Sequence, residues 1–218
     1  MNNSYIRVHS QRGFSLLELM VAIAILGIVM AAVIGVFSRA SRLYTTQNAA
    51  ASLQQEVRAA VEFMAREMRM ASYNPQDIKN KFKFSFYDAT RVRFSKDLDG
   101  SGKIDDGFEA TNSSTVAFPN CEQLTFRYSA GTSSVQVICG NQPAQTLIGG
   151  TDPRVSKVTR LNFEYLGLMG SPIPPNRQEL MRAVVITLTA QAPAGAEGMI
   201  ERSYSTRVAL RNAEANSN

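Results

Sequence analysis

Few residues in this chain could carry chemistry, and they fall in separate places. The single histidine, His9, stands near the start, two cysteines, Cys121 and Cys139, lie in the middle, and carboxylates and glycines crowd the stretch from Asp97 to Glu109. One histidine leaves Ser-His-Asp, Cys-His and His-zinc arrangements almost without raw material. The cysteines lack Cys-x-x-Cys spacing, so redox catalysis is not suggested. In the acidic stretch, Asp97, Asp99, Ser101, the Lys103 carbonyl and Asp105 fall where a calcium loop places alternate ligands, with Gly102 at its sharp turn. The bidentate glutamate of such a loop is missing: its place is taken by Phe108, and Glu109 comes one residue late. Oxygen ligands favour calcium over zinc. The same residues are also what a solvated turn between strands requires, and calcium there would brace a loop rather than do chemistry.

The elements that must hold these residues are legible from patterning. With 44% hydrophobic residues the chain is no disordered tail, and 23 basic against 18 acidic residues, scattered, form no stripe for a nucleic-acid backbone. From Leu19 to Phe37 no charge interrupts nineteen residues. As a helix that run spans about 28 Å, close to the bilayer core of ~30 Å. It is longer than the core of a cleaved secretory signal and continues directly into a polar helix. Arg7 and Arg12 before it balance Arg39 and Arg42 after it, so basic residues alone do not orient it.

Beyond Leu43 the alanine-rich chain carries no proline or glycine before Asn74-Pro75, which predicts one helix from Phe14 to Tyr73, roughly 90 Å long. Leu53, Val57, Val61, Met64, Met68 and Ala71 recur at spacings of four and three, a stripe that must lie against a core. Burying its five larger side chains contributes roughly 7 to 15 kcal/mol before ordering entropy is subtracted. After Pro75 the period changes to two: Phe82, Phe84 and Phe86; Val92 and Phe94; Leu124 to Tyr128; Val135 and Val137; Leu161 to Tyr165. Leu180–Ala192 and Met199–Arg211 read as a closing antiparallel hairpin. The fold class is therefore α+β, a long N-terminal helix packed on a mainly antiparallel sheet with one polar face. Cys121 and Cys139 flank a turn signal at Ala130-Gly131-Thr132, and pairing about that turn sets them opposite one another, within reach of a disulfide. Such a loop stabilises by about 3 kcal/mol in the chain-entropy picture.

The start of the apolar run carries the most specific signal. Gly13-Phe14-Ser15-Leu16-Leu17-Glu18, after a short basic leader, resembles the type IV prepilin signal of type IV pilins and type II secretion pseudopilins. The resemblance implies cleavage after Gly13 by a membrane prepilin peptidase, methylation of the new amino terminus at Phe14, and retention of the apolar helix. It also implies an N-terminus in the cytoplasm and a head outside the inner membrane. Glu18 takes the position of the assembly glutamate of pilins. Physically, a carboxylate entering a bilayer is costly and needs a partner, and the freed amine of Phe14, one turn away, is one.

The chain divides on this reading into a leader (1–13), a membrane and assembly helix (14–38), an amphipathic half (39–73) and a β-rich head with a frayed tail (74–218). Its length, the stripe LQQEVRAAVEFMAREMRMA and the closing SYSTRVALRN are similar to PilW-type minor pilins, with the minor pseudopilins close in pattern. Gly35, where major pilins carry a helix-weakening proline, and a cysteine pair far from the C-terminus both set the chain apart from major pilins. The implied role is a non-enzymatic filament subunit without an obligatory cofactor. Its implied partners are the prepilin peptidase, other major and minor pilins or pseudopilins, the inner-membrane assembly platform and inner-membrane lipid, with no nucleic acid. A helix-tethered enzyme or binding module is the rival class. Against it, cleavage removes His9, and the remaining carboxylates form no evident acid/base pair.

Overall fold

Alanine, leucine and methionine favour a helix throughout the first third of the chain, and a computed structural model shows one helix, α1, from Leu16 to Arg69. The structure describes residues 13–76, 84–104, 121–173, 177, 180–195 and 198–212. The chain divides into two units, residues up to Tyr44 and residues from Thr45 onward.

In the first unit every described side chain is exposed. Isoleucine, leucine, valine and methionine point in all directions around the helix, and that stretch is the one part of the described chain long and apolar enough to cross a membrane.

In the second unit α1 presents the expected stripe. Leu53, Val57, Val61, Met64, Met68 and Ala71 are all buried, joined by Ala60, Ala65 and Glu67. The helix stops four residues short of Tyr73. Ser72 turns the chain with φ of 63° and gives its amide to the Ser95 carbonyl at 2.9 Å, so the chain leaves the helix before Pro75 can break it.

The strands form two antiparallel sheets rather than the single sheet expected. Strands β1 (Phe84–Tyr87), β2 (Arg91–Ser95), β3 (Gln123–Ser129), β4 (Ser134–Cys139) and β5 (Gln145–Gly149) make one meander in chain order. Strands β6 (Lys157–Leu166), β7 (Ala183–Pro193) and β8 (Met199–Ala209) make the other. One continuous core runs through both sheets and the stripe, with Phe63 edge-on to Phe126 at 6.0 Å and Phe94 tilted against the same ring. The period-two reading misses β5, a short edge strand with one buried side chain, Ile148. It also starts the hairpin too early: Leu180 lies in a turn ahead of β7. Phe82 lies outside the described residues. A register shift between Phe84 and Phe86 sets the latter opposite Arg93, and Phe86 turns outward to lie under the Arg91 guanidinium at 3.6 Å instead of entering the core.

One charged pair ties helix to sheet inside this core. Lys96, just past β2, is 1% exposed, and its Nζ meets Glu67 Oε2 at 2.7 Å. Glu67 interrupts the apolar side of α1, and Lys96 is the cation that makes its burial tolerable.

Candidate functional site

The start of α1 is built by local hydrogen bonds. Ser15 and Glu18 sit three apart at the helix start, the spacing of a capping box. Ser15 Oγ accepts from the Leu17 amide at 3.2 Å, and Glu18 Oε2 accepts from the Ser15 amide at 3.0 Å. The carboxylate thus also favours the positive end of the helix dipole. Sequence reading assigned Glu18 to the amine of Phe14 and passed over the Ser-x-x-Glu pattern that makes it a cap. Its other oxygen, Oε1, has no partner among the described residues. Among the described residues no atom lies near the position of a Gly13 side chain, and Phe14 is 90% exposed.

The acidic loop lies in the second unit, beyond Lys96. Asp97 is fully buried and spends both carboxylate oxygens on the loop's own backbone, Oδ1 on the Gly100 amide at 2.8 Å and Oδ2 on the Gly102 amide at 3.0 Å. Gly100 and Gly102 both have φ near +70°, which a side chain would oppose. Asp99 accepts from the Ser101 amide, which holds its carboxyl below the usual range, and Ser101 Oγ accepts from the Lys103 amide. Gln76 donates to the Gly100 carbonyl. Asp105 and Glu109 lie outside the described residues.

A carboxylate that the linear motif does not contain joins the loop. Glu122 is buried, accepts from the Leu98 amide at 2.7 Å, and comes with Asp97 and Asp99 to where one oxygen of each lies within 4.8 Å of the others. No spacing rule finds Glu122. It arrives because its carbonyl pairs with the Lys96 amide, one residue ahead of β3. Three converging carboxylates are a donor set suited to a hard cation. The loop is nonetheless closed by its own amides.

Cys121 and Cys139 are joined in a disulfide with Cα atoms 5.7 Å apart. The register differs from the one expected. Cys139 pairs with Leu124, because the turn uses four residues, Ala130 to Ser133. Cys121 precedes the strand and reaches Cys139 from outside the ladder.

Hydroxyl and carboxylate groups elsewhere serve the fold. The buried Tyr165 hydroxyl donates to the Asp88 carbonyl, and burial with help from Asp88 raises its pKa beyond the working range.

An exposed apolar helix opening on a capped Gly-Phe junction, followed by a helix stripe under antiparallel sheets, defines a type IV pilin-like protein. The prokaryotic N-terminal methylation motif matches residues 8–34. The chain belongs to the family described as prepilin peptidase-dependent protein B, whose model matches residues 46–210. Among solved structures, a type IV-like pilin from Thermus thermophilus aligns with 74% of this chain and 98% of its own, at 13% identity and a TM-score of 0.46. No curated protein matches the chain.

Proposed function

We propose that this chain is a minor pilin of a type IV pilus, which enters the filament through its N-terminal helix to initiate, cap or modify it. The observation that carries the reading is an apolar half of α1 with no buried residue, opening on Gly13-Phe14 and Glu18. A prepilin peptidase cuts after Gly13 and frees the Phe14 amine for methylation. Glu18 then has an oxygen to spare for the amine of a neighbouring subunit, and in a medium of low dielectric that pairing is strong and specific. The apolar surface behind it is first covered by inner-membrane lipid, with the N-terminus cytoplasmic and the head outside. Later it is covered by the helices of other pilins delivered by the assembly platform. No catalytic role or resident cofactor is assigned. A structural calcium at the acidic loop is tested directly: if the loop takes the ion, chelation followed by calcium addition raises the melting temperature of wild-type protein but not of Asp99→Asn, and if its own amides suffice neither shifts.

Deleting the gene and complementing it with wild-type, Gly13→Ala and Glu18→Ala forms tests the reading. Loss of surface pili, restored only by wild type, is expected. Gly13→Ala should keep the leader by intact mass, and Glu18→Ala should be processed but absent from sheared filaments. Intact piliation with impaired protein secretion would make the chain a minor pseudopilin of a type II secretion system instead. Full function of Gly13→Ala would leave a tethered module.

A further inference from the structure

Two open sheets have four edge strands, and three of them are blunted in the ways natural edges usually are. β1 is four residues long, and its register against β2 slips between Phe84 and Phe86. β5 is five residues long, and its pairing with β4 slips between Val135 and Gln136. β6 slips between Val158 and Arg160, and backbone bonds from outside its sheet tie it down: the Val158 amide donates to the Ser133 carbonyl and the Phe163 amide to the Ala89 carbonyl, each at 2.8 Å.

β8 is the exception. It runs eleven residues, Met199 to Ala209, without a proline, and meets β7 in unbroken register from Met199 opposite Pro193 to Ala209 opposite Ala183. Hydroxyl pairs across the hairpin, Thr187 with Ser205 at 2.9 Å and Thr189 with Ser203 at 3.1 Å, hold that register. Among the described residues no backbone group outside β7 bonds to β8. An antiparallel strand turns the amide and carbonyl of alternate residues away from its partner, so β8 offers a row of donors and acceptors along its outer edge. One kind of occupant matches a long, regular row of this kind, and that is another extended chain.

The side chains beside the edge set what that chain carries. On the outer face of the sheet lie Ser203 and Ser205, small and exposed. On the face toward α1 lie Arg202 and Tyr204, with the Arg58 guanidinium 6.0 Å over the Tyr204 ring. Arg58 is paired with Glu62, whereas Arg202 is exposed and has no carboxylate within ion-pair reach among the described residues. Arg202 reaches the Glu201 carbonyl of its own strand at 2.9 Å.

We infer that the outer edge of β8 takes one extended strand from a different subunit, polar where it runs beside Ser203 and Ser205 and acidic where it runs beside Arg202. The inference rests on the minor-pilin reading above, in which the neighbours of this chain are other subunits. Main-chain bonds along the edge supply affinity that most sequences can meet, and the alternate side chains, one set over the hydroxyls and the other over the arginine, supply the choice of partner. A second copy could offer its own β8 to the same edge, but that pairing is two-fold and occupies both edges at once, which excludes any other subunit from them.

The pairing is tested with the full chain expressed beside its assembly machinery. A photoreactive phenylalanine analogue is placed at Ser203, Ser205 or Arg207 in turn, cells are irradiated, and the attachment points are read by mass spectrometry of membranes and sheared filaments. A paired strand joins all three probes to one segment of one different chain, and its attachment point advances by two residues with each step of the probe. Adding Arg202→Glu should cut the adduct about tenfold, the loss typical of one well-placed interface residue, while the melting temperature of the head stays level. An undiminished adduct overturns the acidic partner. Adducts that fall within one chain, that join β8 to β8 of a second copy, or whose attachment points do not advance with the probe overturn the strand pairing and leave the pilin reading intact. So does the lack of any adduct from chains that are processed and present in filaments. Correctly processed chains that never reach filaments overturn both.

Discussion

Between Leu16 and Tyr44 no side chain of α1 is buried, whereas between Leu53 and Met68 eight are. The two stretches share one backbone and similar helix propensity, so propensity does not distinguish them. The first is apolar on every side and finds no cover within its own chain. The second confines its large apolar residues to one stripe and meets two sheets. A helix with intrinsic cover gains stability from its own fold, and one without it borrows cover from lipid or from neighbours. Each substitution below should therefore act on one stretch and spare the other.

The largest effect is expected at the buried charge pair. Lys96→Met leaves Glu67 charged in the core with only the looser, largely exposed Arg66 guanidinium at 3.5 Å, and should cost about 3 to 5 kcal/mol in denaturant unfolding of the detergent-solubilised chain. Combining it with Glu67→Leu should recover most of that loss, because desolvation and attraction then vanish together. A double variant as unstable as the single one would mean that the pair does more than compensate itself.

Next is the direct contrast between the halves. Met64→Ala should lose about 2 to 5 kcal/mol, as buried truncations do. Ile25→Ala removes a side chain of comparable size, 57% exposed, and should shift unfolding of the head by less than about 0.5 kcal/mol. Equal losses would show that the apolar half is covered by the chain itself.

This contrast was largely legible in the sequence, because periodicity reports how many sides of an element are covered. The run from Leu19 to Phe37 has no polar side, and the stripe from Leu53 to Ala71 has one, so both environments followed from the order of residues. Local competition was harder to see. Ser72 ends α1 before Asn74-Pro75 through a left-handed turn that propensity does not favour, and the bulge at Phe86 reverses a face that strict alternation assigns inward. The division into two sheets depends on which strands meet, and alternation along each strand says nothing of that. At the candidate sites, Gly13, Phe14 and Glu18 lie in one contiguous segment, so the methylation-type motif is legible in the order of residues alone. Glu122 and the Lys96–Glu67 pair were not, since strand register brings them together from distant positions.

A smaller effect is expected at the start of the apolar half. Ser15→Ala removes the oxygen that accepts from the Leu17 amide and should cost about 0.5 to 2 kcal/mol of local helix stability. Amide exchange at Leu17 and Leu19 should quicken while exchange from Leu53 to Met68 stays unchanged. Protection that falls along the whole helix would mean that the two stretches unfold together.

The smallest effect is a pH dependence confined to the head. The Ser101 amide bonded to Asp99 favours the charged carboxylate, so its pKa in the folded protein lies below the ordinary 3.8. A depressed carboxyl stabilises the fold above its unfolded value, and that contribution is lost as pH falls from there through the folded value. Asp99 is solvent-exposed, so the loss is small, and Asp99→Asn should flatten the melting temperature of the head slightly below pH 4. Past Glu18 the helix carries no acidic residue until Glu56, so the run from Leu19 to Phe37 has nothing of its own to titrate in that range. A wild-type head whose melting temperature is no steeper below pH 4 than that of Asp99→Asn would mean that the loop draws no stability from the charge. Burial of the run from Leu19 to Phe37, followed by protease protection in vesicles, should stay level over the same range; a fall there would place a titrating group in a run where the sequence has none.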